Sequence, residues 1–433
     1  MLKSVTKNLI LPNKKNKKMQ FLYNLIIFFA SQIIKLLTPF SRKIKLFVNG
    51  RKEVFSILES KIKSNDKTIW FHAASLGEYE QGLPVIEKMK EKFPKHKIVI
   101  TFFSPSGYEV RKNNDLADVT VYLPLDTKNN AKKFIQLVHP EMAFFIKYEY
   151  WPNYLFELKK QSQIFGTKTY LISGVFSEEK VFFQWYGGFF RKAIKTFDYF
   201  FVQNESSKKL LQSIGFNNVK VSGDTRFDRV ASILERDNSL DFIESFKNNQ
   251  TTIVVGSSWA RDEELLVKYI NNNKQNVKFI IAPHNIKSGQ IACLKKRIKK
   301  PTVLYSEKEN KDLSQFQVFI IDTIGILTKI YSYADIAYVG GGYGTPGIHN
   351  ILEPATFGVP IIIGPNYTNF PEAASLVFLD GCNTIYSQIE LDEILDHLIS
   401  NTVIRHEKGH ICETFVQMNK GATNIIVNHI ETQ

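Results

Sequence analysis

Cysteine is scarce in this 433-residue chain. Cys293, Cys382 and Cys412 stand far apart with no CxxC, which excludes a disulfide scaffold and a structural zinc knuckle and fits a reducing compartment. Acidic residues are missing altogether from residues 1–52, a segment that holds twelve Lys and Arg. Of the net charge of +14, only +2 is therefore left for residues 53–433. The body of the chain has no basic excess for a nucleic-acid groove, so no nucleic-acid partner is expected. The N-terminal charge instead suits the anionic lipid of a membrane surface. No GxGxxG follows the first strand, at Ala74-Ser75-Leu76-Gly77-Glu78, which counts against dinucleotide binding there.

An uninterrupted membrane span is also lacking. Phe21–Leu37 is apolar except for Asn24, Ser31, Gln32 and Lys35, and stops before Pro39. It is short of the roughly 20 residues of a comfortable span. No small-residue cleavage site follows; Arg42, Lys43 and Lys45 do, which argues against a secretory signal. We read residues 1–52 as a basic tail and a membrane anchor, interfacial or barely spanning, with an ordinary buried helix as the open alternative. Residues 1–18 are either a tail or lie upstream of a start at Met19.

What is present is a long alternation of apolar runs and amphipathic stretches. Buried strands are expected at 68–73, 98–103, 119–123, 142–146, 169–172, 199–202 and 219–222, with helices such as 82–92 and 130–138 between them. The pattern restarts with strands at 253–255, 279–281, 303–305, 318–321, 336–339 and 360–363. Such alternation predicts parallel sheets covered on both faces. It gives a first domain over 53–228, a polar linker over 229–250, a second domain over 251–405 and a C-terminal helix over 406–433. Two such Rossmann-like, doubly wound halves are expected to face a central cleft. Ligands of these sheets sit in the loops after the strands.

The richest of those loops runs from Tyr338 to Pro365. An apolar run ends in Gly340, Gly341 and Gly342; further glycines, His349-Asn350, Ile351, Leu352 and Glu353-Pro354 follow, then a second apolar run. Glycines there would let the backbone approach an anion at a helix N-terminus, with Glu353 spaced to reach a ribose. A turn that only packs strand against helix is the bland reading; the combination favours a nucleotide-sugar site. After the first strand comes Ala74-Ser75-Leu76-Gly77-Glu78, which puts Glu78 in a first helical turn as a candidate general base or a simple dipole partner. Glu149 follows the fourth strand in the same way, beside Trp151-Pro152. Arg226, in Gly223-Asp224-Thr225-Arg226, is a fixed cation suited to phosphate or carboxylate. Gly256-Ser257-Ser258-Trp259, Pro283-His284 and Asp322-Thr323-Ile324-Gly325 occupy corresponding places in the second half.

In order and spacing, these segments resemble the 3-deoxy-D-manno-octulosonic acid (Kdo) transferases of lipid A assembly, inverting glycosyltransferases of the two-domain GT-B type. The matching stretches are HAASLGEYEQGLPVI (72–86), EYWPN (149–153), GDTRFD (223–228), APH (282–284), DTIG (322–325) and residues 340–373. The resemblance implies an α/β GT-B fold, CMP-Kdo as donor, and lipid IVA as acceptor at the cytoplasmic face of the inner membrane. It implies Glu78 as the base, and Glu149 and Arg226 as stabilisers of the transition state. Pro283 and His284, Ile324 to Ile326, and Asn350 to Glu353 would contact CMP. Arg226 stands where relatives often carry Lys, and Ile326 where many carry Glu, so nucleotide contact there would fall to the backbone. No metal or other cofactor is expected, since a monophosphate leaves with less charge than a diphosphate. A sugar-nucleotide 2-epimerase-like isomerase and a non-catalytic membrane-bound nucleotide-binding protein are the alternatives.

Overall fold

A computed structural model describes residues 14–345 and 347–432. Lys3 and Lys7 of the basic segment, and Met1 of the two candidate starts, lie outside that range. The chain divides into two compact units: residues 1–225 with 421–433, and residues 226–420.

The first unit is built on seven parallel strands: β1 Lys67–Ala73, β2 His96–Phe102, β3 Val119–Tyr122, β4 Met142–Ile146, β5 Lys168–Gly174, β6 Tyr199–Val202 and β7 Val219–Val221. They lie in the order β3-β2-β1-β4-β5-β6-β7. Both sheet faces are covered, which is why β4 reads MAFFI without alternation and every residue of it is buried. Successive side chains of β1 enter opposite cores. Trp70 packs among Phe134, Phe145 and Tyr154, whereas Phe71 stacks on Phe144 at 4.6 Å between centroids. The second face is completed by the C-terminal helix Ala422–Glu431, whose Ile426, Val427 and Ile430 are buried there.

The second unit has its own seven parallel strands: β8 Thr252–Ser258, β9 Lys278–Pro283, β10 Thr302–Leu304, β11 Val318–Ile320, β12 Ile336–Val339, β13 Ile361–Ile363 and β14 Cys382–Thr384. Their order is β10-β11-β9-β8-β12-β13-β14. In each sheet the strand order reverses about a central pair, β1/β4 and β8/β12. A crevice for ligand is expected outside the carboxyl ends of those strands.

Three boundaries differ from the sequence reading. The polar stretch 229–250 is not free-standing. Helix Asp241–Lys247 buries Ile243 and Phe246 in the second core beside Val254, Ile280 and Phe319, so the break falls between Thr225 and Arg226. Two apolar residues among many charges were enough to seat it. The final helix is two helices, Thr402–Asn419 and Ala422–Glu431, parted at Gly421, whose φ of +111° no ordinary side chain favours. Strand β14, CNT, is short and carries no apolar pattern to announce it.

The N-terminal helix Lys14–Leu36 docks on the first unit through Tyr23 and Asn24. Tyr23 donates its hydroxyl to the Asp126 carboxylate at 2.7 Å, and Asn153 donates its amide to Asn24 Oδ1 at 2.9 Å. Phe21, Ile26, Phe29, Ile33 and Leu36 stay exposed. By length and composition Lys18–Leu36 is able to cross a membrane, with 19 residues and a mean hydropathy of 1.4.

Candidate active site

At the switch point of the first sheet, β1 ends at Ala73 and the chain turns into helix Leu76–Lys92. Glu78 occupies the third position of that helix. Its carboxylate accepts from the backbone N–H groups of Ala74 at 2.6 Å and Ser75 at 3.1 Å, one half of a capping box. Half-buried there, Glu78 has its pKa raised to about 7. Burial is the largest cause and the negative charge of Glu149 the next, while the two N–H donors and Lys147 pull the other way. A carboxyl group poised at that value takes up a proton at neutral pH and releases it again.

Glu149 lies just beyond β4 and is almost fully buried. Lys147, between strand and carboxylate, sits in the left-handed region at φ 66° and re-aims the chain. Two groups hold Glu149 Oε2: the Trp151 indole N–H at 2.7 Å and His72 Nε2 at 3.1 Å. The His72 ring is held at both nitrogens: Nδ1 lies 2.9 Å from Thr101 Oγ1 and 3.2 Å from Thr101 O, and Nε2 is also reached by the Trp151 indole N–H at 3.0 Å. Sequence reasoning passed over His72 and named Trp151 only as a neighbour of Glu149. The signal available was parity: His72 shares the inward face of β1 with Trp70, where a polar ring needs a partner.

The second unit gathers three rings at the carboxyl ends of β8, β9 and β12. Trp259 stacks on His284 at 4.5 Å and 14°, and His284 lies against His349 at 4.6 Å. Trp259 donates its indole N–H to His349 Nε2 at 2.9 Å, which fixes His349 with its hydrogen on Nδ1. Burial, with the adjoining His284, lowers the His349 pKa to about 4, so the ring is neutral near pH 7. Beside Trp259 and Pro283 opens a hollow of about 290 Å³, lined also by Glu263, Asn285 and Arg297.

The glycine loop is shaped by a residue the sequence did not advertise. Buried Asp262 accepts from Gly341 N–H at 2.9 Å, Trp259 N–H at 2.8 Å and the Tyr338 hydroxyl at 2.8 Å. The Gly341 N–H is thus spent on Asp262. Gly341 itself has φ +96°, and a Cβ there would lie 2.5 Å from Gly347 O. A Cβ on Gly342 would collide with Gly364. These glycines bring loop onto loop. The expected helix N-terminus is also modest, because Leu352–Thr356 is only five residues long. Glu353, at its second position, accepts from Thr328 Oγ1 at 2.9 Å and Asn350 Nδ2 at 3.1 Å. Thr328 follows Ile324, Gly325 and Ile326, so those two segments do meet, through a threonine not singled out in the sequence. Leu352 and Ile351 are core residues, Ile326 packs partly against the core, and Ile324 is exposed.

Arg226 heads the second unit on helix Thr225–Ala231. Its guanidinium forks onto Glu372 of helix Pro371–Phe378, with contacts of 2.8 and 3.2 Å, and Glu372 is nearly buried. The fixed cation expected at this point already has a carboxylate partner.

A family model described as 3-deoxy-D-manno-octulosonic-acid transferase (kdotransferase) matches residues 49–229. The 3-deoxy-D-manno-octulosonic acid transferase of Chlamydophila psittaci is 25% identical over 405 residues, covering 90% of this chain and 91% of its own. That of Chlamydia trachomatis serovar D is 28% identical over 337 residues, covering 74% and 76%. Over most of its length the chain is thus similar to Kdo transferases. As a glycosyltransferase it has the GT-B type of fold, shared with the UDP-GlcNAc 2-epimerase of Neisseria meningitidis. That structure superposes with a TM-score of 0.60 at 14% identity, over 84% of the transferase and 100% of the epimerase chain. At such identity the likeness is one of fold alone.

Proposed function

We propose that this transferase moves Kdo from CMP-Kdo to the lipid A precursor lipid IVA with inversion, at the cytoplasmic face of the inner membrane. The observation that carries the reading is Glu78: a half-buried carboxylate at the β1/β4 switch point, with its pKa raised to about 7. Glu78 takes the proton from the acceptor hydroxyl as that oxygen attacks the anomeric carbon of Kdo. The bond from that carbon to the CMP phosphate breaks, and its electron pair leaves on the phosphate. Glu149, oriented by His72 and Trp151, keeps negative charge beside Glu78 and so raises its basicity. On the second unit, Pro283, His284, Ile324 to Ile326 and Asn350 to Glu353 surround the nucleotide, with Gly341 and Gly342 admitting its phosphate. Arg226 serves the leaving phosphate by sharing its fork with Glu372. The exposed apolar side of the N-terminal helix and its lysines seat the enzyme on anionic lipid, where a lipid acceptor is met.

The test is transfer of Kdo from CMP-Kdo to lipid IVA by wild type and by Glu78→Gln. Gln keeps the cap hydrogen bonds but has no proton-accepting form. The variant should lose about 10²–10⁴ in kcat, the usual contribution of a positioned base, while still binding CMP. Undiminished transfer by the variant would remove Glu78 from this role. Epimerisation of a sugar nucleotide without lipid would favour the isomerase reading instead.

A further inference from the structure

The aromatic run Phe182–Phe190 takes no part in the chemistry above. Its outer members are anchored: Phe182 and Phe189 are 3% and 2% exposed. Between them Trp185 is 85% exposed and Tyr186 55%, their rings edge to face at 5.5 Å. The turn that displays them is braced. Arg191 Nη1 donates to Phe182 O and Gln184 O, both at 2.7 Å, and Gln184 Nε2 donates to Glu178 O at 2.8 Å. Gly187 closes it, since a Cβ there would lie 1.7 Å from Val181 O. A braced turn that holds a tryptophan almost wholly out of the core leaves a large apolar area in water, and such area marks a place of contact.

The surroundings say what it contacts. Helix Gly188–Ile194, which the turn leads into, packs against the N-terminal helix. The Tyr23 ring lies 5.6 Å from Phe189 and 6.2 Å from Phe190. The turn therefore leads straight into a helix that touches the N-terminal helix at Tyr23. A groove of about 490 Å³ lies along the same elements, lined by Lys128, Lys132, Lys160 and Lys192 beside Gln20, with Glu157 taken up by Lys160 at 2.6 Å. From Glu178 to Lys195 the chain is net positive despite Glu178 and Glu179. Amphipathic Trp and Tyr rings next to lysines fit the headgroup level of an anionic bilayer.

We infer that the Trp185–Tyr186 turn is a second membrane-contact element, which inserts into the interface of an anionic bilayer beside the N-terminal helix. The inference rests on the membrane seating proposed above and specifies a further part of it.

The experiment uses the full chain with vesicles of phosphatidylcholine and phosphatidylglycerol, plain or brominated in the acyl chains. Wild type should bind, and part of its tryptophan emission should be quenched by the brominated lipid. In Trp185→Phe, which keeps an apolar ring, that quenched fraction should vanish while binding persists. The pair Trp185→Ser with Tyr186→Ser should partition about tenfold more weakly. Its Kdo transfer to detergent-dispersed acceptor should remain at the wild-type level, which shows that it folds. If wild type binds but its quenching matches that of Trp185→Phe and the serine pair partitions as wild type does, the inference is overturned and the helix alone seats the enzyme. Should wild type fail to bind at all, the membrane seating itself fails and takes the inference with it.

Discussion

Glu78 pays for its position in stability, and this separates a base from a helix cap. Its folded pKa of about 7 stands above the ordinary 4.5, so between those values the folded state holds a proton that the unfolded state has released. Stability is then highest while the group is protonated and falls as pH rises through 7. Glu78→Gln should therefore raise stability above pH 7, by up to about 3 kcal/mol, while it sharply lowers transfer. Chemical denaturation at pH 6 and pH 8.5 checks the sign: a variant less stable than wild type at pH 8.5 would show an ordinary cap. At Glu149 the same scale gives a second expectation. Trp151→Phe keeps the ring against Phe103 at 4.7 Å but deletes the indole N–H that donates to the carboxylate. Stability should drop by about 1–3 kcal/mol, with kcat reduced and CMP affinity unchanged by calorimetry.

Among the elements, the loop after β12 rests on buried Asp262 and on glycines that touch one another. Gly341→Ala meets both a left-handed backbone and Gly347 O, and should cost about 1–3 kcal/mol. It should weaken CMP binding in a calorimetric titration, because the loop moves with it. The Arg226–Glu372 fork offers a parallel case. Arg226→Ala strands a nearly buried carboxylate, for a loss of about 1–3 kcal/mol, which Glu372→Gln in the same chain should partly restore in thermal melts. Much at this scale was legible in advance. Uninterrupted apolar runs such as MAFFI and the glycine triplet announced buried strands and a tight loop. Partners distant in sequence were not legible: nothing near Arg226 points to Glu372, and nothing near Gly341 points to Asp262. Charge and spacing alone present such groups as open to a ligand when the fold has already used them.

For the whole molecule, the N-terminal helix is both surface and structure. Asn24, one of the polar interruptions that weakened the sequence case for a span, docks it onto Asn153, and Tyr23 beside it docks it onto Asp126. Removal of residues 1–36 should therefore do more than release the enzyme from membranes. It uncovers Asp126, whose pKa burial raises to about 6, and should lower the melting temperature of the detergent-solubilised protein. An unchanged melt would show the helix to be a detachable anchor. The division into two doubly wound units followed from composition and periodicity. Its boundary did not, because a charged stretch reads as linker until Ile243 and Phe246 are seen in a core.

The central claim is that a carboxylate tuned to neutrality removes the proton from the acceptor. The pH dependence of kcat/KM for transfer from CMP-Kdo to lipid IVA tests this most directly. Because only the deprotonated form of Glu78 is a base, the rate should climb tenfold per pH unit below an apparent pKa of about 7 and level off above it. The residual activity of Glu78→Gln should lack that limb. A wild-type profile that stays flat from pH 5.5 to 8, or a variant that keeps the same limb, would contradict the account.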